Sequence, residues 1–466
     1  MIRSKYKYVA LVILVFLSVG TQVLAQESRA AIFGTVFDQN GAVLPGASVT
    51  ATQLATNLTF AAATGEDGRY RIEFLPVGAY RIEITAANFA KAEMTDLLLR
   101  VGEARRADVR LSIDTVKNTV TIEAPLTESS QGTLSTVIPA ERVENLPLNG
   151  RQIQELALTA PGVSASGGFR SSAFNQFGLA TPADGNAGAF SVNGAGSRSN
   201  GFFLDGVDIN IPEQGVIAFP PLVESIREFQ IQTNNFSSEY GRYSGSIINF
   251  VTKSGTNKWR GSVYEFFRND ALDANDPFNK AQGLPRPVLR QNQFGFTLGG
   301  PIFKERFFIF GNYEANRTRQ GTGAFTNNVP TAAQRGGLLN YTGFTDTNNN
   351  GRFDAGEPTF AANANVAVNP ITARILSGFI PLPNSTQPGA NYIANGTNSL
   401  DEDAFTIRGD YRFSDKDLLT ARYSFDFQNQ FFPFDIFFVS ASLPAFPFSN
   451  PEQRQSFSGS YTRTLT

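Results

Sequence analysis

From Ala404 to Phe413 the chain alternates without a break, with Phe405, Ile407, Gly409, Tyr411 and Phe413 on one side and Ala404, Thr406, Arg408, Asp410 and Arg412 on the other. A period of two belongs to an extended strand, whose successive side chains point to opposite faces. The pattern returns at Leu419, Ala421, Tyr423, Phe425 and Phe427 against Thr420, Arg422, Ser424 and Asp426, and at Phe294, Phe296 and Leu298 against Gln293, Gly295 and Thr297. One apolar, aromatic face and one polar face suit a soluble sandwich or a membrane barrel with a wet or filled lumen. With 42 Phe and only 17% charged residues, the composition suits strands that also face something apolar outside a core.

About six such strands follow Trp259, and their links discriminate further. The links Asn269 to Arg290, about Asn316 to Asp403, and Gln428 to Arg454 are long, whereas those around Phe303-Lys304-Glu305 and at Ser414-Asp415-Lys416-Asp417 are short. Long links on one side and short ones on the other are the rule for outer-membrane barrels.

The chain contains no Cys and no His. Ser/His/Asp and Cys/His nucleophiles, the usual zinc sites and thiol redox centres are therefore excluded. Asp205 and Asp208 could be taken for an acid/base pair, but Asp before Gly206 is expected as a turn former, so no catalytic residue is nominated and the chain is expected not to be an enzyme. A net charge of −2 gives no case for nucleic acid. At the start, Arg3, Lys5 and Lys7 precede the apolar run Val9 to Val19, and Val23-Leu24-Ala25 sets a cleavage site before Gln26, so residues 1–25 read as an export signal. No second apolar run of that length follows, which leaves strands as the means of crossing a membrane.

Residues 28–113 carry short alternating runs (Tyr70, Ile72, Phe74; Tyr80, Ile82, Ile84) between Asn40-Gly41, Pro45-Gly46 and Asp67-Gly68 turns, the pattern of a small antiparallel β-sandwich. With Pro76-Val77-Gly78 before the last hairpin, the segment resembles the carboxypeptidase regulatory-like or transthyretin-like domain, grouped with carbohydrate-binding-like folds. A spacer or docking role is expected, with glycan binding as the alternative.

Beyond it, Glu141 to Asn145 reads as a helix, as does the stretch holding Ile153, Leu156 and Ala157, which Pro161-Gly162 stops. The Gly/Ser/Ala/Asn tract 164–189 reads as a long loop, functional or disordered, with ligand contact or flexible filler as its two roles. Phe190 and Val192 turn at Asn193-Gly194 towards a strand at Phe202 to Leu204. Glu224 to Phe267 then opens with an amphipathic piece (Ile226, Phe229, Ile231), passes Tyr240 to Ser246, forms a strand at Ile247 to Val251, turns at Ser254-Gly255-Thr256-Asn257 and starts a new strand at Trp259. From Leu146 to Phe267 this succession resembles the end of the plug and the first barrel strand of TonB-dependent outer-membrane receptors, in particular the Oar-like branch with an extra N-terminal β-domain.

The resemblance implies a mainly β chain: signal peptide 1–25, β-sandwich 28–113, linker 114–128, α+β plug 129–254 and a partial barrel 258–466. Six strands cannot surround a plug, since plugged barrels use about 22, so the chain is expected to be the N-terminal part of a longer receptor. Asn118, Thr119, Val120, Thr121, Ile122, Glu123 and Ala124 look like a TonB box, a β-branched run able to add as a strand to a partner's sheet, with an ordinary strand joining the two domains as the alternative. The implied partners are a TonB-type inner-membrane energy complex, outer-membrane lipid, and an external ligand that could be a carbohydrate, a siderophore or a peptide. Localisation in the bacterial outer membrane follows, with the N-terminal module in the periplasm. The alternative is an outer-membrane adhesin or carbohydrate-binding surface protein without transport.

One motif in the longest link stands apart. Asp346, Asn348, Asn350, Gly351, Arg352 (through its carbonyl), Asp354 and Glu357 fit the twelve-residue calcium loop D-x-[DN]-x-[DN]-G-x5-E, in which alternate oxygens wrap one hard cation. Calcium is expected to order this loop, although helices of an EF-hand are not evident beside it.

Overall fold

The computed structural model describes residues 29–113, 120–121, 133–145, 151, 153–165, 190–196, 198–211, 216–275, 277–281, 286–321, 325–344, 358–386, 390–434 and 447–464. The N-terminal module consists of two facing sheets. One pairs Arg69–Leu75, Ala30–Phe37 and Ala104–Arg106, with Val109–Arg110 also on Ala30–Phe37; the other runs Thr59–Ala63, Ser48–Gln53, Gly78–Thr85, Ala92–Leu99 and Val120–Thr121. Ile32, Val49, Tyr80, Ile82 and Ile84 are fully enclosed between them. Phe74 departs from the alternation expected of it. Its φ is +61° and its ring is exposed, while Leu75 occupies the core position. The register with Ala30–Phe37 shifts between Ala30 and Ile32, and such a bulge moves the next side chain to the opposite face.

The central unit is a five-stranded sheet in the order Leu134–Pro139, Ile226–Asn234, Ile247–Thr252, Gly201–Leu204 and Val207–Asp208. The helix Ala140–Asn145 and a 3-10 turn at Ile153–Thr159 cover one face, and Ile153, Leu156 and Ala157 are buried against Phe190, Phe229 and Phe250. The amphipathic piece at Ile226 is a strand near the middle of this sheet. A register shift between Ile226 and Glu228 explains how Ile226, Phe229 and Ile231, which no single strand period would align, all reach that core. Glu228, Gln230, Asn249 and Thr252 are buried as well, so the sheet is covered on both faces.

The third unit is an antiparallel wall of six strands, Arg260–Asn269, Leu289–Phe303, Phe307–Gly321, Thr397–Ser414, Asp417–Phe432 and Phe448–Arg463, each paired with the next. It is inside-out relative to a soluble sandwich. Val263, Phe296, Leu298, Ile407 and Phe457 are exposed, whereas Asn312, Glu314, Thr406, Asp410, Arg422 and Asp426 are buried. Only an apolar exterior makes the first set favourable, and only a filled lumen satisfies the second. Strands of ten residues or more suffice to cross a bilayer. The links follow the expected rule: Lys304 to Arg306 and Asp415 to Lys416 are tight, and 270–288, 322–396 and 433–447 are long. No helix among the described residues is long and apolar enough to cross a membrane.

The turn after Thr252 runs directly against the wall. A Cβ on Gly255 would stand 2.4 Å from the Ile309 carbonyl oxygen and 2.6 Å from that of Gly300, so this position admits no side chain without movement of the backbone.

Candidate functional site

The central unit meets the polar face of the wall through a cluster of ions built around one tight turn. Leu204 pairs with Val207, so Asp205 (φ +51°) and Gly206 (φ +79°) form a two-residue hairpin connection in which both residues are left-handed. Asp205 is thus the turn former its sequence suggests, and it does more. Its carboxylate accepts from the Thr252 N–H at 2.9 Å and lies 3.3 Å from Arg408 Nη1 and 2.9 Å from Arg422 Nε. Arg408 also pairs with Asp410 at 2.9 Å and donates to the Thr252 carbonyl at 3.1 Å. Arg422 has no exposed side-chain surface. Two guanidinium groups buried beside two carboxylates and a hydroxyl are stable only as a set, because removing one partner strands the others in a poorly solvated place.

A second cluster lies further along the wall. Arg151 pairs with Glu224 and stacks 3.7 Å from the centre of the Phe266 ring. Tyr264 donates to Glu314 at 3.0 Å, and Gln293 donates to the other oxygen of Glu314 at 2.7 Å. Asp208 serves the central unit itself, accepting from Asn210 N–H at 2.8 Å and from the Tyr243 hydroxyl at 2.6 Å. Burial first, and the Asp208 carboxylate second, push the Tyr243 hydroxyl well above the usual phenol range, so it stays a donor. These pairs position and bind; Asp205 and Asp208 face different partners and form no acid/base couple.

A cavity of about 90 Å³ lies beside the first cluster, lined among others by Arg29, Val77, Asp205, Arg227, Arg408 and Ser458, where all three units meet. A larger open cavity of about 790 Å³ lies in the link 322–396, between Val329, Pro330, Val366 and Leu376. Asn391 closes one side of it, accepting from Val329 N–H at 2.7 Å and donating to the Val329 carbonyl at 2.8 Å.

Of the residues singled out from sequence, Val120 and Thr121 pair in parallel with Ala92 and Glu93 at the edge of the N-terminal module. Asn118, Thr119, Ile122, Glu123 and Ala124 lie outside the described residues, as do 166–189 and the calcium motif from Asp346 to Glu357. The motif's flanks are described: Leu338–Phe344 and Thr359–Asn365 pair antiparallel with Phe344 opposite Thr359. Its neighbours are strands rather than the helices of an EF-hand. The ion cluster at Asp205 went unrecognised in the sequence. The available signal was the pair Arg408 and Arg422 on faces otherwise expected to look into a lumen.

Residues 251–466 match the family described as outer membrane beta barrel domain, and residues 31–112 match the carboxypeptidase regulatory-like domain. The chain is 30% identical over 308 residues to the TonB-dependent transporter Oar of Myxococcus xanthus, covering 64% of this chain and 28% of that protein. It is 26% identical over 220 residues to a protein described as probable TonB-dependent siderophore receptor PirA of Acinetobacter baumannii, covering 44% of this chain and 26% of that one. Among solved structures, the outer-membrane transporter YddB of Escherichia coli aligns at 13% identity and a TM-score of 0.46, covering 71% of this chain and 37% of that chain. The chain thus spans about a quarter of the length of the curated relatives it matches.

Proposed function

We propose, from the premise that this outer-membrane β-barrel chain belongs with the Oar-like TonB-dependent transporters, that it supplies the periplasmic module, the plug and the first barrel strands of a receptor for energy-coupled uptake. The observation that carries this reading is the ion-paired seat of the central unit on the polar face of the wall. A plug must be held firmly enough to close a lumen and yet be released without breaking a covalent bond. Charged pairs at Asp205, Arg408 and Arg422 meet both needs, since their strength depends on the two partners staying in register. The outer links 270–288, 322–396 and 433–447, with the cavity beside Val329, then face the incoming ligand. The siderophore receptors among its relatives make a metal chelate the first class to try, ahead of oligosaccharide and peptide. Residues Asn118 to Ala124 act as the coupling segment, pulled by an inner-membrane energy complex, and Asp346 to Glu357 hold a calcium ion that orders the segment between Leu338–Phe344 and Thr359–Asn365. No covalent step is involved.

Deletion of Asn118–Ala124 tests the reading. Membranes carrying the deletion should no longer bind the soluble periplasmic domain of a TonB-type protein, and cells should lose uptake of a ferric siderophore panel while surface binding is retained. Unchanged partner binding would remove the coupling role and leave adhesion as the better account.

A further inference from the structure

The N-terminal module touches both the central unit and the wall, and its contacts are too many and too specific for a spacer. On the central unit, Val101 N–H donates to Glu228 Oε1 at 2.5 Å, and Val77 and Val101 are buried with Val251. Gly78 and Gly102 admit the neighbouring side chains closely: a Cβ on Gly102 would stand 2.7 Å from Gln230 Oε1, and one on Gly78 would stand 2.9 Å from Arg227 Nη2. On the wall, Asn57 donates to Glu305 at 2.9 Å, and Arg412 donates to the Thr59 carbonyl at 2.8 Å. Arg29 reaches Thr462 and Ser460 on the last strand. Asn257 ties the three units together. Its N–H donates to the Ala55 carbonyl at 3.0 Å, its amide nitrogen to the Thr56 carbonyl at 2.7 Å, and its amide oxygen accepts from Glu305 N–H at 2.9 Å.

Glu305 and Arg412 lie in or beside the two tight links, so the module closes the end of the wall opposite the long loops. We propose that the module is a latch: it clamps the central unit to the rim of the wall, and the central unit cannot leave the lumen until the module has swung away. Val120 and Thr121 sit on the module's sheet edge beside Ala92 and Glu93. A pull on that segment therefore reaches the module before it reaches the central unit. This last step rests on the transport reading; the clamp itself does not.

The cysteine-free chain allows a clean test. The full chain carrying Asn57→Cys and Glu305→Cys, in isolated outer membranes, is treated with a flexible thiol–thiol crosslinker. Joining should run about tenfold faster than for Asn57→Cys with Ser449→Cys at the far end of the wall, because proximity sets the effective concentration. The joined protein should then need roughly 1 M more urea before the central unit becomes protease-sensitive, and Asn57→Ala with Arg412→Ala should need correspondingly less. Equal joining rates for the two pairs would overturn the docking. Fast joining with no change in urea sensitivity in either direction would overturn the latch. Unchanged partner binding and uptake in the Asn118–Ala124 deletion, with these two results intact, would sink the transport reading and leave the latch standing.

Discussion

Asp205 of the central unit and Arg408 of the wall, 203 residues apart in sequence, face each other at 3.3 Å with both side chains largely buried. The pair is knit into a larger set, since Arg422 Nε stands 2.9 Å from the second carboxylate oxygen and Thr252 donates to the first. Asp205→Ala leaves buried Arg422 without its carboxylate and Arg408 with Asp410 alone, and should cost the seating of the central unit about 3–5 kcal/mol, as for other buried pairs broken on one side. Arg408→Ala should cost less than Asp205→Ala, because Asp205 keeps Arg422. Urea titration of protease sensitivity in membranes measures both. A double variant whose loss equals the sum of the two would show that the residues act independently.

Gly255 gives a second prediction through space rather than charge. A methyl group there must displace the Ile309 or Gly300 carbonyl, both part of wall strands, so Gly255→Ala should destabilise by about 1–3 kcal/mol and Gly255→Val by more. The expected readout is a lower melting temperature of the assembled protein with folding still achieved for the alanine variant. Gly241→Ala, whose Cβ would meet only the Ser238 carbonyl at 3.2 Å, is the matched control and should be milder.

These two residues also mark how far the sequence could be read. The wall was legible because its period is repeated over long strands and because unequal links carry information about both ends; the same periodicity placed Ile407 outside and Arg408 inside. The turn at Asp205-Gly206 was legible from turn chemistry alone. Its ionic role was not, because the partners lie 203 and 217 positions away; strand register sets Arg408 opposite Arg422, and only the seating of the central unit on the wall brings Asp205 to both. Phe74 and Ile226 failed for a different reason. A bulge shifts parity by one residue at a place fixed by the partner strand, and no local pattern announces it. The docking of the N-terminal module depends on backbone groups of Ala55, Thr56, Thr59 and Val101, which leave no trace in side-chain patterning.

The calcium-loop spacing at 346–357 offers a prediction about metal. Six oxygen-bearing positions in calcium-loop spacing should bind one calcium ion per chain, read by titration calorimetry on membranes washed with chelator. Glu357→Gln removes the bidentate closure and should weaken binding more than Asp354→Asn, whose position commonly reaches the ion through water. Calcium should also slow proteolysis between Phe344 and Thr359 while leaving the wall unaffected. Equal heats for the wild type and both variants would show that the segment is an Asn- and Asp-rich turn with no metal.

The contact between Val101 and Glu228 makes the latch sensitive to pH, with a sign that can be worked out. Burial is the main influence on Glu228 and raises its carboxyl above the ordinary 4.5, against the opposing pull of the Val101 N–H and of Arg227. Burial likewise lowers the Arg227 guanidinium. Below the ordinary carboxyl value, Glu228 is protonated whether the module is docked or released, and docking has its full strength. As pH rises through the interval between the ordinary and the raised value, the released state loses its proton first, and docking weakens. Above the raised value the loss is complete and constant. Glu228→Gln keeps an acceptor for Val101 N–H without the charge, so it should dock at neutral pH at least as tightly as the wild type and lack this decline. Crosslinking rates for the Asn57→Cys and Glu305→Cys pair between pH 4 and 8, with and without Glu228→Gln, provide the comparison, because acid effects on other carboxylates cancel between the two series. A wild-type series that runs parallel to the Glu228→Gln series would show that the carboxyl is as well solvated docked as free, and would remove Glu228 from the energetics of the latch.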